Sequence, residues 1–361
     1  MSQTPQDPQA PRPPRAPNPP PPGAPRAELE RARAEPIRTP LSTKQWVWLA
    51  LAGAALVAYP HVFDAPYQRH VLVMVFIYAL MAQGWNVLAG YCGQISLGQA
   101  VYFGIGAYSA GFLYANYHIS PWLGMLVGVA ISVLVALGIG LPTFRLRGHY
   151  FAIATLVIGE IGHTLMLNWE FVGGATGVWI PIDRESPWYS FQFHDNKLPN
   201  YYIGLGFLVA ACLVVAWLER SKAGLYFRAI RDEPDAARSL GVDITRYKLV
   251  AIMISAAFTA VAGAQFAQYV LVIDPETVFP LLLSILVVLM TMLGGLGTLW
   301  GPIIGAGVLF PLSEATRVWF GGTGGAEDLM IYGALILLIA VFYPGGLLAL
   351  LRRLFVRAGD A

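Results

Sequence analysis

The sequence predicts an all-α fold, a polytopic membrane bundle of about ten transmembrane helices. Three observations predict it. The chain is 56% hydrophobic and only 12% charged, with a mean hydropathy of +0.57. Its apolar residues fall in runs that approach the roughly 20 residues needed to cross a bilayer, without the strict alternation of a barrel strand. Its charges collect in a few polar stretches between those runs, and a stretch so polar in a chain so apolar must sit in water.

Taken in order, residues 1–44 hold 13 of the 26 prolines and almost no large apolar side chains. They read as a disordered, extended, cytoplasmic tail. The tail lacks the short apolar core of a signal peptide. Residues 45–351 form the transmembrane domain, and 352–361 a short basic cytoplasmic C-terminus. The apolar segments are Trp46–Tyr59, Val71–Ala89, the glycine-rich Gly90–Tyr114, Trp122–Leu141 and Tyr150–Leu167. Tyr201–Leu218, Leu249–Leu271, Leu281–Leu293, Leu299–Phe310 and Leu329–Tyr343 follow.

Charge sets the expected orientation. With both termini inside, only Arg69, Arg184, Lys197 and Arg317 fall outside, leaving 19 of the 23 Lys/Arg in the cytoplasm. Cytoplasmic loops carry such an excess of basic residues.

The most polar stretch after the tail is Glu219–Lys248, with seven Lys/Arg and five Asp/Glu. Asp232, Glu233 and Pro234 sit where a helix begins, since proline at the first turn loses no needed hydrogen bond and carboxylates favour the positive end of the dipole. Ala236, Ala237, Arg238 and Leu240 are helix formers, and Gly241 can supply a left-handed cap. Upstream, Leu225, Phe227, Ala229 and Ile230 interleave with Arg228 and Arg231 as a second short amphipathic piece. Such a helix pair is a docking element, where the plainer alternative is a solvated loop.

Two regions echo each other. Gly90 to Gln99 (GYCGQISLGQ) leads into Phe103–Tyr108, and Gly294 to Pro302 (GGLGTLWGP) leads into Ile304–Gly307. Interrupted, glycine-rich segments in two halves mark inverted repeats around a midplane pathway, which Gln94, Ser96, Gln99, Gly294 and Gly295 would line. Close helix packing through small residues is the alternative.

Catalytic machinery is absent from the sequence. No Gly-Lys-Ser/Thr occurs at any lysine, the histidines show no metal-ligand spacing, and Cys92 and Cys212 read as small buried hydrophobes. Metal and cofactor are therefore not expected. Glu160 and His163 share a helix face inside a span, as a mutually satisfied structural pair or a proton relay. Asn86, Asn168 and Gln265 are membrane amides expected to bond neighbouring helices.

The chain resembles the M-type permeases of bacterial branched-chain amino acid ABC importers. The resemblance covers roughly Trp46 to Leu351 and rests on Asn86–Ala100 with Phe103–Tyr108, on Arg147–Leu156 and on Gly294–Pro302. Asp235, Ala236, Ala237 and Gly241 are similar to the EAA-x3-G motif that couples such permeases to their ATPases; Asp stands for Glu, and the downstream Ile-x-Leu-Pro is missing near Ile252. The resemblance implies a bacterial inner-membrane importer in which this subunit pairs with an H-type permease, two cytoplasmic ATPase subunits and a periplasmic substrate-binding protein. It implies no nucleic acid partner and no catalysis by this chain. The cargo implied is branched-chain or related amino acids, and related permeases carry urea, short amides or other amino acids. An ion-coupled secondary transporter using Glu160 and His163, or a non-transporting membrane scaffold, are the alternatives from other classes.

Overall fold

A computed structural model of the chain describes residues 56–61, 66–146, 148–183, 185–193 and 197–319, with Leu347. Residues 56–61 are helical and belong to an N-terminal unit, Met1–Val62; the other described residues belong to the second unit, Phe63–Ala361. The predicted tail 1–44, most of segment Trp46–Tyr59, segment Leu329–Tyr343 and the basic end 352–361 lie outside the described residues.

The bundle of the second unit is built around four helices. α1 (Pro66–Asn86) runs on through a π-helical turn, Val87–Tyr91, and is buried almost continuously from Val73. α2 (Gln99–Tyr117) and α9 (Ile244–Val270) lie against each other, with α3 (Pro121–Thr143) along both. Small residues let α2 and α9 approach. A Cβ on Gly106 would meet the backbone of Ala260, and one on Gly263 the backbone of Phe103. Close backbone contact of this kind replaces the hydrophobic drive that lipid cannot supply.

Outside this centre, α4 (His149–Asn168) and α6 (Leu198–Arg220) keep one face open. On α4 that face holds Ile153, Val157, Ile161 and Leu165, and on α6 Val209, Leu213 and Trp217. Four-residue spacing stacks each set on one side of its helix, the pattern of a lipid-facing or partner-facing surface.

A loop containing β1 (Val178–Trp179) and the short α5 (Pro187–Ser190) joins α4 to α6. α7 (Lys222–Asp232) and α8 (Pro234–Ser239) follow, then α9 and β2 (Val272–Ile273). α10 (Pro275–Val278), α11 (Leu281–Gly294) and α12 (Gly301–Trp319) complete the described chain.

The described residues are mostly helical, as the sequence predicts, with one antiparallel pair of two-residue strands, Val178 opposite Ile273. One expectation is corrected. The segment Gly90–Tyr114 is not one span, since residues 92–98 are non-helical between the π turn and α2. Of the expected ten spans, most of Trp46–Tyr59 and all of Leu329–Tyr343 lie outside the described residues. Among the described residues, six helices are long and apolar enough to cross a membrane: α1 with its π turn, α3, α4, α6, α9 and the α10–α11 stretch Pro275–Gly294. α2 falls outside those six, carrying Gln99 and Asn116 among its apolar residues. Its neighbours α3 and α9 cover it instead of lipid, so packing tolerates what the bilayer would not.

Candidate functional site

The polar stretch Glu219–Lys248 folds as two short helices, with its ends absorbed into α6 and α9. Ser221 opens α7 by accepting from the Gly224 N–H at 3.3 Å, a serine N-cap. Gly224, Phe227 and Ile230 are buried at three-residue spacing, while Lys222 and Leu225 point outward. Arg228 Nη2 donates to the Glu219 carbonyl at 2.8 Å, and the Tyr91 hydroxyl donates to the Glu219 carboxylate at 2.6 Å. The arm is therefore fastened to the end of α6.

α8 starts on Pro234, as its place at the first turn predicts. Within it Ala237 is buried, in the same apolar cluster as Phe227, Ile230 and Ile244. Asp235 and Ala236 are exposed, and Leu240, just past the helix, is 85% exposed. Gly241 has φ +84° and the Val242 N–H returns to the Ala237 carbonyl at 3.1 Å. That is the left-handed cap the glycine was expected to form. The four motif residues thus divide: Ala237 holds α8 to the body, Gly241 ends it, and Asp235 and Ala236 form its outer surface.

The two glycine-rich breaks meet. Asn86, fully buried, accepts from the Gly297 N–H through Oδ1 at 2.8 Å and donates to the Thr298 carbonyl through Nδ2 at 2.9 Å. Gln83 Nε2 donates to the Leu299 carbonyl at 3.3 Å. A Cβ on Gly90 would overlap Asn86 Oδ1 and the Gly297 backbone, so only glycine fits this contact. Gly294 is buried where α11 crosses α12, and Gly295 takes a φ of +129°. The Thr298 hydroxyl donates to the Gly295 carbonyl at 2.7 Å and accepts from the Gly301 N–H at 3.1 Å.

The polar residues of the first break are placed differently. Gln94 is half-buried, its N–H bonded to the Leu88 carbonyl at 3.0 Å. Ser96 is buried; its carbonyl accepts from Trp85 Nε1 at 2.7 Å and its hydroxyl accepts from the Gly98 N–H at 3.3 Å. Gln99 turns into α9, donating to the Ser255 hydroxyl at 2.9 Å and accepting from the Thr259 hydroxyl at 3.1 Å. Both ends of that amide serve helix packing.

His163 lies 3.8 Å from Glu160 and 3.7 Å from Glu276, a residue of α10 that sequence spacing could not connect to it. The histidine is buried and both carboxylates are largely exposed. Of the membrane amides, Asn86 behaves as expected. Asn168 bonds within its own helix, to the Thr164 carbonyl at 2.8 Å. Gln265 is buried near Gly204, and neither atom of its amide finds a partner among the described residues.

Comparison with known proteins identifies the family. The family described as branched-chain amino acid transport system / permease component matches residues 69–340. The high-affinity branched-chain amino acid transport system permease protein LivM of Salmonella typhimurium is 31% identical over 342 residues, 89% of this chain and 79% of its own length. LivM of Escherichia coli is 30% identical over 332 residues, 86% of this chain and 76% of its own length. The permease protein LivH of Salmonella typhimurium, also of a high-affinity branched-chain amino acid transport system, is 25% identical over 288 residues, 75% of this chain and 91% of its own length. No solved structure matches the chain. With long apolar helices and a family match across most of its length, this chain belongs to the permease components of branched-chain amino acid transport systems.

Proposed function

We propose that this chain is the M-type membrane subunit of an ATP-driven importer for branched-chain amino acids. It pairs with an H-type permease, two cytoplasmic ATPase subunits and a periplasmic binding protein, with both termini in the cytoplasm. Similarity to both LivM and LivH supports a pair of related permeases. The excess of Lys/Arg on one side of the predicted spans supports the orientation.

The observation that carries ATP coupling is the α7–α8 arm. A short helix fixed from beneath by Ala237, with Asp235 and Ala236 outward and Leu240 85% exposed beside it, is a rigid knob with an uncovered apolar tip. A partner groove would bury that tip. In this reading Asp235, Ala236 and Gly241 shape the ATPase-docking surface, and Ala237 anchors it. Gln94, Ser96, Gly294 and Gly295 lie along the translocation route near the meeting breaks, with Gln99 supporting it from the start of α2, braced against α9.

The test is uptake of leucine into proteoliposomes holding the assembled importer, with Gly241→Pro beside wild type. Proline cannot adopt a φ of +84°, so the cap is lost. The variant should insert and pair with the other permease, while ATP-driven uptake falls to background. Wild-type uptake in the variant removes the docking assignment. Uptake by the wild-type importer that ignores ATP and follows a proton gradient would favour the ion-coupled alternative, centred on Glu160, His163 and Glu276.

A further inference from the structure

Arg231 stands where the arm meets the two glycine breaks. Its Nη1 donates to the Gly90 carbonyl at 3.0 Å, and its Nε to the Asp232 carboxylate at 3.0 Å. Glycines make room for it. A Cβ on Gly93 would come within 2.8 Å of Arg231 Cγ, and one on Gly297 within 3.1 Å of Nη1. Gly93 and Gly297 belong to different breaks, so one guanidinium lies against both.

The carbonyl it holds is a particular one. Gly90 sits in the π-helical turn Val87–Tyr91, where the helix ends and its last carbonyls lose their ordinary partners. The Ala89 carbonyl is taken by the Gly93 N–H at 3.1 Å and the Leu88 carbonyl by that of Gln94 at 3.0 Å. The next carbonyl in line, that of Gly90, is taken by Arg231, and a charged donor makes a stronger bond than a neutral one. Asn86, one turn earlier, ties the same point to Gly297 and Thr298. A displacement of α7 therefore pulls on the place where both breaks meet. Arg228 differs: it ties the same helix to Glu219 at the end of α6.

We infer that Arg231 transmits movement of the α7–α8 arm to the junction of the two glycine breaks, as a positioning residue that acts through the Gly90 carbonyl without touching substrate. The inference rests on the arm being the ATPase-docking element. Docking fixes the outer end of the arm, and Arg231 fixes its inner end to a turn that lacks a complete backbone ladder. The bond would shift the break when nucleotide moves the arm.

The experiment uses the full importer in proteoliposomes, measuring ATP hydrolysis and leucine uptake together for wild type, Arg231→Met, Arg231→Lys and Arg228→Met. Arg231→Met keeps most of the stem and removes the donors. ATPase subunits should remain bound and hydrolysis stay within about twofold of wild type, while leucine moved per ATP falls at least tenfold. Lysine keeps a charged donor and should recover part of that loss. Arg228→Met should leave the ratio near wild type. A second readout follows the junction itself, by maleimide labelling of Leu296→Cys at an exposed position of the second break. Its labelling rate should respond to a non-hydrolysable ATP analogue in an otherwise wild-type importer and stop responding when Arg231→Met is added. An unchanged transport ratio with an unchanged labelling response overturns the role of Arg231. Equal uncoupling by Arg228→Met, or loss of ATPase binding in Arg231→Met, also overturns it, since Arg231 would then only hold the arm's fold. Wild-type uptake that ignores ATP removes the docking reading and this inference together, an outcome the variants alone would not produce.

Discussion

The two glycine-rich breaks look alike in sequence and differ in what supports them. The first, residues 90–98, is held by side chains that reach into it. Trp85 donates to the Ser96 carbonyl, the Thr155 hydroxyl takes the Leu97 N–H at 3.0 Å, and Arg231 takes Gly90. The second, residues 294–301, is bonded by Asn86, Gln83 and Thr298 and is also packed backbone against backbone at its glycines. A Cβ on Gly294 would strike the Gly301 carbonyl, one on Gly301 the Gly295 carbonyl, and one on Gly305 the Met290 carbonyl. Glycine content alone therefore does not say how a break in a membrane helix is stabilised. Both can be loosened by removing a hydrogen bond, and the second also by adding a single carbon where backbone meets backbone.

The greatest loss expected from that difference belongs to Gly294→Val, which forces side-chain carbon into the backbone of α12, where nothing flexible can yield. Overpacking of this kind typically costs about 1–3 kcal/mol and occasionally more, and a backbone clash belongs at the upper end. The variant should fail to accumulate in membranes, measured by immunoblot of the membrane fraction. Accumulation at wild-type level would mean the α11–α12 crossing is loose.

Asn86→Ala comes next, because that amide is the clasp between the two breaks. It leaves the Gly297 N–H and the Thr298 carbonyl without their partner. Both residues are only half-buried, so each loss costs about 1 kcal/mol, the low end of the range for an unmet buried group. A clearly lowered thermal midpoint in detergent is expected, with the protein still inserted. A midpoint equal to wild type would show that the breaks are not mutually supported.

Trp85→Phe should be mildest. It deletes one donor, leaving the Ser96 carbonyl short of a bond at a cost of about 1 kcal/mol, and the smaller phenyl ring leaves a small cavity where the indole was buried. Thermal unfolding should shift slightly, and less than for Asn86→Ala. A larger shift than the asparagine variant would reverse the ranking and make the Trp85–Ser96 tie the principal support of the first break.

Much of the candidate site is legible in the sequence. Pro234 at a helix start and Gly241 at its end follow from fixed φ and freedom at positive φ, which are local properties. The burial of Phe227 and Ile230 follows from helical spacing. Leu225, grouped with them by type, turns outward, since a loose apolar pattern does not specify which side is covered. Gln99 shows a different limit. A glutamine beside a glycine break reads as a pathway group, yet Ser255 and Thr259 on another helix use up its amide. Glu276 is illegible for the same reason: its distance from His163 is a fact of packing between α4 and α10, with no period to announce it.

Solvent and local backbone chemistry account for the features that the chain dictates residue by residue. Long apolar runs must be helices in lipid, because unpaired backbone groups there are too costly, and a charged stretch between them must stay in water. Proline and glycine punctuate those helices through their own dihedral limits. Which polar group satisfies which is settled only in three dimensions. Asn86 clasping Gly297, Arg231 capping Gly90 and His163 beside Glu276 each join residues far apart in the chain. Most buried polar atoms find a partner, but burial does not say which; the partner is whichever group the close packing of glycine and alanine faces brings near.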